Sequence, residues 1–363
     1  MPAQRPIKDI NGTILGYAWG DGTNDDTAVL QAALNSAKRI YVPSGKYKIT
    51  STLTVPSGTT TGIVGAGGSG PTGTNVGTII QASFTTGNAI TNSSSNPLFQ
   101  HFLVTRVGTP TSGSYGLDLG SANATGTVIN VTSTRHHKGF FLRATGTATA
   151  KGLLAQSNTS DGYTISGKWN ITNANSESNG GHGYVATGSY DSGTMSGLAS
   201  FGNGGSGFYC DTMPNLRLQS CFFGDEHDSA VYIINNNAAG KYNQLTCVGT
   251  EAVNAFAIYL GVNTRDNRLK TCYYTKTVAP NTCNTPLYAE GASQAIDACD
   301  FSGLASSGAS IVLTAGANVL KAVTTREASI GVNIAGGSCS IFGGWLQNAT
   351  PVSGSATQYG DYQ

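Results

Sequence analysis

Gly20-Asp21-Gly22-Thr23-Asn24-Asp25-Asp26-Thr27-Ala28-Val29-Leu30-Gln31-Ala32-Ala33-Leu34 runs on into Arg39-Ile40-Tyr41-Val42-Pro43-Ser44-Gly45-Lys46-Tyr47-Lys48-Ile49. A polar turn leads straight into one short apolar segment, and a strand-like run follows. Asn24, Asp25 and Asp26 are suited to accept the free N–H groups of a helix's first turn and to complement its dipole. Ala28, Val29, Leu30, Ala32, Ala33, Leu34 and Ala37 make that helix apolar on nearly every side, so it must be covered. After it the chain turns to Gly, Ser, Thr and Asn with short apolar runs. The physical expectation is a lid: the helix plugs the end of a long β stack, whose first turn would otherwise expose apolar interior and an unpaired strand edge.

This stretch resembles the N-terminal signature of the pectate-lyase-like right-handed parallel β-helix superfamily, as found in phage tailspikes and polysaccharide depolymerases. The shared features are the acidic G-D-G-x-x-D-D-T turn, the short helix and the Val-Pro-x-Gly-x-Tyr strand. They span residues 17–67 and end in Gly62-Ile63-Val64-Gly65-Ala66-Gly67. The resemblance implies an all-β right-handed parallel β-helix, and the expected division of the chain is an N-terminal cap over 1–67, coils over 68–303, and terminal coils or an oligomerisation region over 304–363. Tailspikes of that family are parallel homotrimers, which makes a homotrimer the implied assembly. The signature does not separate lyases, glycoside hydrolases and non-catalytic spikes.

Composition narrows the classes. The chain has 363 residues, too many for one ordinary compact core but not for a solenoid. Only 11% of residues are charged and 49 are Gly, which fits a turn-rich β protein. A net charge of +1 gives no electrostatic case for nucleic acid or an acidic membrane. No apolar run approaches the ~18 residues that span a bilayer. Met1-Pro2-Ala3-Gln4-Arg5-Pro6 lacks the apolar core of a secretory signal. A secreted cell-wall enzyme should carry one, whereas a phage structural protein released by lysis would not need it. The expected location is therefore a virion tail, with an extracellular enzyme as the alternative. The seven cysteines contain no Cys-x-x-Cys, and no metal or other cofactor is expected. Cys221, Cys247, Cys272 and Cys299 recur at near-regular spacing and read as one buried column of free thiols.

From about residue 115 the chain repeats. A small residue precedes a short alternating strand at Gly116, Gly139, Gly162, Gly183, Gly207, Ala230 and Ala257, at intervals of 23, 23, 21, 24, 23 and 27 residues. A period of that size with strand-like content means one solenoid coil per repeat. A second apolar set lies between, such as Val128 with Val131 and Ile171 with Ala174, so each coil has at least two strands. Parallel coils stack about 4.8 Å apart, and about 13 coils would make a rod on the order of 60 Å. Past residue 38 no sustained 3.6-residue apolar period supports helices. Toward the end, Ile311-Val312-Leu313 and Ser340-Ile341-Phe342 read as strands, and Trp345 needs cover.

The repeat aligns the turns. The position just before each small residue reads Tyr115, Lys138, Asp161, His182, Ser206, Ser229. One or two steps further out come Arg135, His136, His137, Glu177, Asp225, Glu226, His227 and Asp228. Five of the chain's 19 acids and four of its five His fall on this edge, which makes it the candidate site. An extended glycan can lie along such an edge. Hydrolysis needs two carboxyl groups, about 5–5.5 Å apart for retention or about 6.5–9.5 Å for inversion. Asp161 with Glu177, or Glu177 with Asp225 or Glu226, are the pairs that the coil spacing allows. His182 would hold or tune Asp161. Lys138, Arg135, His137 and His227 would contact substrate, and Tyr163 and Tyr184 would stack on sugar faces. For Asp225-Glu226-His227-Asp228 a solvated turn is an equal reading, and a metal there is disfavoured because sequence neighbours rarely converge on one ion. His101, between Phe99 and Phe102, reads as a packed residue.

Asp161-Gly162-Tyr163-Thr164-Ile165 and Gly181-His182-Gly183-Tyr184 also resemble the paired-Asp and Gly-His-Gly strands of the polygalacturonase family, one coil apart. That resemblance implies Asp161 as the acid and His182 as its support. The chain departs from the pattern: it has Ser160-Asp161, His137-Lys138-Gly139 in place of Asn-Thr-Asp, and Arg217-Leu218 in place of Arg-Ile-Lys. The functional expectation is a phage tailspike-type depolymerase that hydrolyses a bacterial surface polysaccharide (capsule, O-antigen or exopolysaccharide), with other virion tail proteins as further partners. The alternatives are a non-catalytic receptor-binding spike and a pectin-type lyase. The lyase ranks below hydrolysis because only Lys138 and Arg135 are placed to act as its base.

Overall fold

The computed structural model describes all residues except 1–2, 37–38, 59–60, 68–76, 121–123, 189–192, 214, 225, 235–242, 252–254, 276–282, 284, 303–307, 327, 349 and 360–363. It divides into two compact units, Met1–Gly181 and His182–Gln363.

Unit 1 is a parallel β-solenoid with three strands per coil. The first sheet takes Leu53–Val55, Ile90–Asn92, Tyr115–Asp118 and the opening residues of Lys138–Lys151 and Tyr163–Thr172, all parallel. The second holds Arg39–Val42, Gly62–Gly65 and the first halves of Leu98–Arg106 and Thr127–Thr134. The third holds Gly45–Ile49 and Thr78–Ala82, then the second halves of those long strands, then Leu154–Gln156 and Asn175–Glu177. Inward residues Leu117, Phe140, Ile165, Val128, Ile171 and Val131 are fully buried.

The short helix expected in the N-terminal stretch is present, and its details differ from expectation. The helix α1 spans Thr27–Ser36 and lies against the hairpin Arg5–Asp9/Ile14–Ala18 and against Arg39–Val42 and Leu53–Val55. It buries one stripe, Leu30, Ala33 and Leu34, while Ala28 and Ala32 face outward. Asp25 Oδ1 accepts from Thr27 N–H at 2.9 Å, as a first-turn acceptor should. Asp26 does not cap the helix with its side chain. Its carboxylate turns back to accept Trp19 N–H at 2.6 Å and Gly20 N–H at 3.0 Å, and only its carbonyl serves the helix. The acidic motif is thus a short strand, Asp21–Asp25, paired in parallel with Gly45–Ile49 and closed off by the Asp26 carboxylate.

Unit 2 repeats the three-strand coil. Its first sheet runs Tyr184–Thr187, Phe208–Cys210, Val231–Ile233, Phe256–Leu260, Thr285–Ala289, Ala309–Leu313 and on into Ile330–Gln347, all parallel. Its second runs Met195–Ser196, Arg217–Gln219, Gln244–Thr246, Arg268–Lys270, Ala295–Asp297 and the start of Ala317–Arg326. Its third includes Ala199–Phe201, Phe222–Gly224, Gly249–Glu251 and Tyr273–Thr275. The expected strands near 311 and 341 are present, and Thr350–Tyr359 adds a last one. Trp345 is 51% exposed within this unit.

A single backbone device turns the second sheet into the third. In unit 1, His101, Asn130, Gly152 and Asn173 occupy the corner; in unit 2, Gly197, Ser220, Cys247, Thr271, Ala298, Ala322 and Gly343 do. All have φ between 49° and 65°. This is the left-handed region, which Gly and Asn enter at least cost. It accounts for two departures from expectation. His101 is a half-exposed corner residue between the buried Phe99 and Phe102. Cys247 is an exposed corner residue, so the buried column runs Cys221, Val248, Cys272, Cys299. Burial pushes the Cys221 thiol up to about 11, as suits a packed, unreactive sulfur.

Candidate functional site

The glycine before each first-sheet strand lets the turn lie on the neighbouring coil. A Cβ at Gly139 would meet the carbonyl of Gly162 and the Asn158 side chain. Gly116, Gly139 and Gly162 are in register in unit 1, as are Gly183, Gly207, Ala230 and Ala257 in unit 2. The residue before each glycine therefore forms a real column within each unit.

In unit 1 that column is Tyr115, Lys138 and Asp161. Asp161 is 7% exposed, and its Oδ2 lies 3.0 Å from Lys138 Nζ. Gly181 packs directly on Oδ1, so any side chain there would strike the carboxylate. Burial pulls the Lys138 pKa down, but the hydrogen bond and charge of Asp161 outweigh it and hold the ammonium above its usual range. Lys138 also sits 5.9 Å over the Tyr115 ring, which stacks on Phe141 at 5.1 Å. His137 accepts from Gly113 N–H through Nδ1 at 3.2 Å. Burial and the Lys138 charge lower its pKa, so Nε2 carries the proton at neutral pH.

The strip continues to Asp118, a residue the sequence reading passed over. Asn88 links the two parts: its Oδ1 accepts from Tyr115 N–H at 2.8 Å, and its Nδ2 donates to Asp118 Oδ2 at 2.8 Å. Burial raises the Asp118 pKa, against the opposing effect of Gly120 N–H, Asn88 and the Arg143 charge. The signal was present as a lone outward Asp in an apolar strand, Gly116-Leu117-Asp118-Leu119.

Other expected residues fall elsewhere. Tyr163 and Tyr184 are core residues, fully buried, with hydroxyls donating to the carbonyls of Asn175 and Ala199 at 2.8 and 3.0 Å. No ring face is left for a sugar, because the strand alternation turns both inward. Glu177 ends a third-sheet strand, accepts from Gln156 Nε2 at 3.4 Å, and lies across a corner from the turn that holds Asp161. Arg135 is an exposed corner residue with φ 62°.

In unit 2, Glu226 is 1% exposed and is a structural acceptor. It takes Ser200 Oγ–H at 2.6 Å, Asn203 N–H at 3.0 Å and Asn203 Nδ2–H at 3.3 Å. In unit 1 the equivalent contacts run between amides, with Asn158 N–H donating to Asn179 Oδ1 at 3.0 Å. Glu226 is thus the acidic rung of an amide ladder and offers no free carboxylate. Asp225 lies outside the described residues. His227 is exposed on the turn. His182 accepts Ser206 N–H through Nδ1 at 2.9 Å and stacks on Tyr209, with ring centroids 4.6 Å apart. Tyr209 opens a row that the sequence reading did not pick out: Tyr209, Tyr232, Tyr259 and Tyr288 stand at the same outward position of successive strands. Among the described residues no three His, Cys, Asp or Glu side chains converge to hold a metal.

Residues 16–238 match the family described as rhamnogalacturonase A/epimerase, pectate lyase-like. No curated protein matches the sequence. Among solved structures, the chain is similar to the A-module of the Azotobacter vinelandii mannuronan C-5 epimerase AlgE4, with a TM-score of 0.61 and 14% identity over 97% of this chain and 100% of that one. It is similar to the DFA-IIIase of Arthrobacter chlorophenolicus A6 without its lid, with a TM-score of 0.61 and 12% identity over 92% and 94% of the two chains. A third is the catalytic unit of a GH87 α-1,3-glucanase from Streptomyces thermodiastaticus, with a TM-score of 0.54 and 14% identity over 98% and 70%. At these identities the likeness is one of fold.

Proposed function

This chain belongs to the rhamnogalacturonase A/epimerase, pectate lyase-like family, and from that premise we propose that it binds and hydrolyses an extended polysaccharide along the first-sheet flank of unit 1. The observation that carries this is the Asp161–Lys138 pair, set in line with Tyr115 and His137 on a flank that successive coils build. Asp161 Oδ2 faces the Lys138 ammonium at 3.0 Å, an arrangement that suits an anionic group more than a proton donor to a leaving group. Asp161 therefore serves as base or nucleophile here, and the acid role drawn from the polygalacturonase resemblance passes to another group. Glu177, in the same unit but at the end of a third-sheet strand across the corner from this flank, is the candidate to test for that role. The finer reading is a tailspike-type depolymerase of a bacterial surface glycan, trimeric, with α1 as the lid of the stack; the N-terminal motif supports the lid and leaves the activity to the test below.

Lys138 argues against a lyase. A proton-abstracting lysine must be neutral, and Asp161 keeps this one charged. The second reading, a binding spike without catalysis, has one observation in its favour. Asp118, the other acid of the strip, stands two coils and three residues from Asp161, on the order of 14 Å by coil and strand spacing. Hydrolytic pairs stand closer, within about 9.5 Å. The test is reducing-end release from a panel of capsular, O-antigen and plant glycans, with Asp161→Asn and Glu177→Gln beside the wild type. Retention without release would establish the spike, and products absorbing in the ultraviolet would establish a lyase.

A further inference from the structure

In unit 2 the outward position that follows the buried first-sheet residue is tyrosine in four successive coils. Tyr209, Tyr232, Tyr259 and Tyr288 are in strict register, and all are half-buried. Their rings stack along the coil direction: centroids are 5.8, 4.3 and 5.9 Å apart, with planes within 8°. His182 closes one end of the stack at 4.6 Å, and Phe256 packs against Tyr288 at 5.2 Å near the other. The ring faces are thus used up by neighbouring rings. What solvent meets is ring edges and a line of phenol hydroxyls, one per coil, about 4.8 Å apart.

Among the described residues, the charges at the positions flanking this row are of one sign. The position after the first and the last of the four strands carries Asp211 and Glu290, with Ile234 and Gly261 between, and Tyr259 Oη donates to Glu290 Oε2 at 2.7 Å. Among the described residues neither Lys nor Arg occupies the row, the position before the strand or the position after it. Arg265 is the nearest described cation along the chain, exposed in the turn beyond and bridged through its backbone to Ala292. Among the described residues, a polyanion laid here would meet two carboxylates and no counter-charge at these positions. A chain of hydroxyls would meet donors and acceptors at its own kind of repeat.

We propose that the tyrosine row of unit 2 is a recognition strip for an extended, uncharged glycan, held by its phenol hydroxyls, with Asp211 and Glu290 turning polyuronates away. This rests on the polysaccharide reading above and adds the class of sugar. Binding is measured by affinity electrophoresis and calorimetry against neutral glucans, mannans and galactans, and against polygalacturonate and alginate. Wild type should bind a neutral polymer in preference to both polyuronates. Tyr232→Phe and Tyr259→Phe keep the stack and lose a hydroxyl, so each should weaken that binding about fivefold with the fold retained by circular dichroism. Glu290→Lys should raise polyuronate binding. Preference for a polyuronate, no binding to any polymer, or neutral binding unchanged in the Tyr232→Phe/Tyr259→Phe double variant would each overturn the proposal. Neutral binding without cleavage leaves the strip standing and removes hydrolysis, while cleavage of a polyuronate does the reverse.

Discussion

Just before the glycine of each first-sheet strand, unit 1 carries Tyr115, Lys138 and Asp161, joined by an ion pair and a cation–ring contact. In unit 2 the same step carries His182, Ser206 and Ser229, and the next outward position carries the tyrosine stack. One flank is a charged, hydrogen-bonded strip with both signs present. The other is aromatic and hydroxylated and, among the described residues that flank its strands, bordered by the carboxylates of Asp211 and Glu290. The coils that present them are built alike, with the same three strands and the same left-handed corner. The difference teaches that the coil period fixes where a side chain stands and leaves its chemistry free. As proposed above, the carboxylate–ammonium pair of the first flank takes the chemistry and the tyrosine row of the second takes recognition.

The sharpest way to break this division is Asp161→Asn. It keeps the volume and removes the charge that Lys138 faces, and we expect turnover on the responsive glycan to fall by about 100-fold or more. Binding through the tyrosine row should survive, so loss of both together would show that the two flanks are not separate in function. Next in size is Glu226→Ala. It strands the Ser200 hydroxyl and two Asn203 donors in a buried site, costing about 2–4 kcal/mol in urea unfolding. A variant that loses activity at unchanged stability would return Glu226 to the catalytic set.

A third test uses pH. His136 is fully buried in unit 1 and accepts from Arg106 Nε at 3.2 Å. Burial, helped by the Arg106 charge, lowers its pKa from 6.5 to about 3. The unfolded chain takes up this proton below pH 6.5, whereas the folded one does not until about 3. Stability should therefore fall as pH drops through that window, by up to about 1.4 kcal/mol per unit. His136→Gln should flatten the slope in unfolding curves at pH 7, 6 and 5; parallel slopes would contradict the assignment. The smallest effect is at the corner of unit 2. Ala298 has φ 49°, and Ala298→Gly should raise stability by about 0.5–1 kcal/mol. A loss there would mean that the corner does not hold Ala298 at a cost.

Much of this was legible in the residues. The small-residue repeat from Gly116 to Ala257 gave the true register within each unit, because one Cβ too many at Gly139 would collide with the next coil. The Tyr115, Lys138, Asp161 alignment came with it. The roles of single side chains did not. Tyr163, Tyr184 and Glu226 look like solvent-facing polar residues in a turn-rich sequence, yet strand alternation and the amide ladder bury all three. Cys247 shares the spacing of Cys221, Cys272 and Cys299, but it stands one residue early and so lands on the corner.

Sequence alone determined that coils of some two dozen residues stack in parallel, since a period written in small and apolar residues has few other ways to bury its strands. It also determined which residues precede each glycine. Only the tertiary structure decided which of them face outward. Burial of a carboxylate or a phenol depends on partners one coil away, such as Ser200 and Asn203 for Glu226, and these are set by register between rungs. The tyrosine row is the plainest case. Its members lie 23, 27 and 29 residues apart, and only stacked rungs make them neighbours.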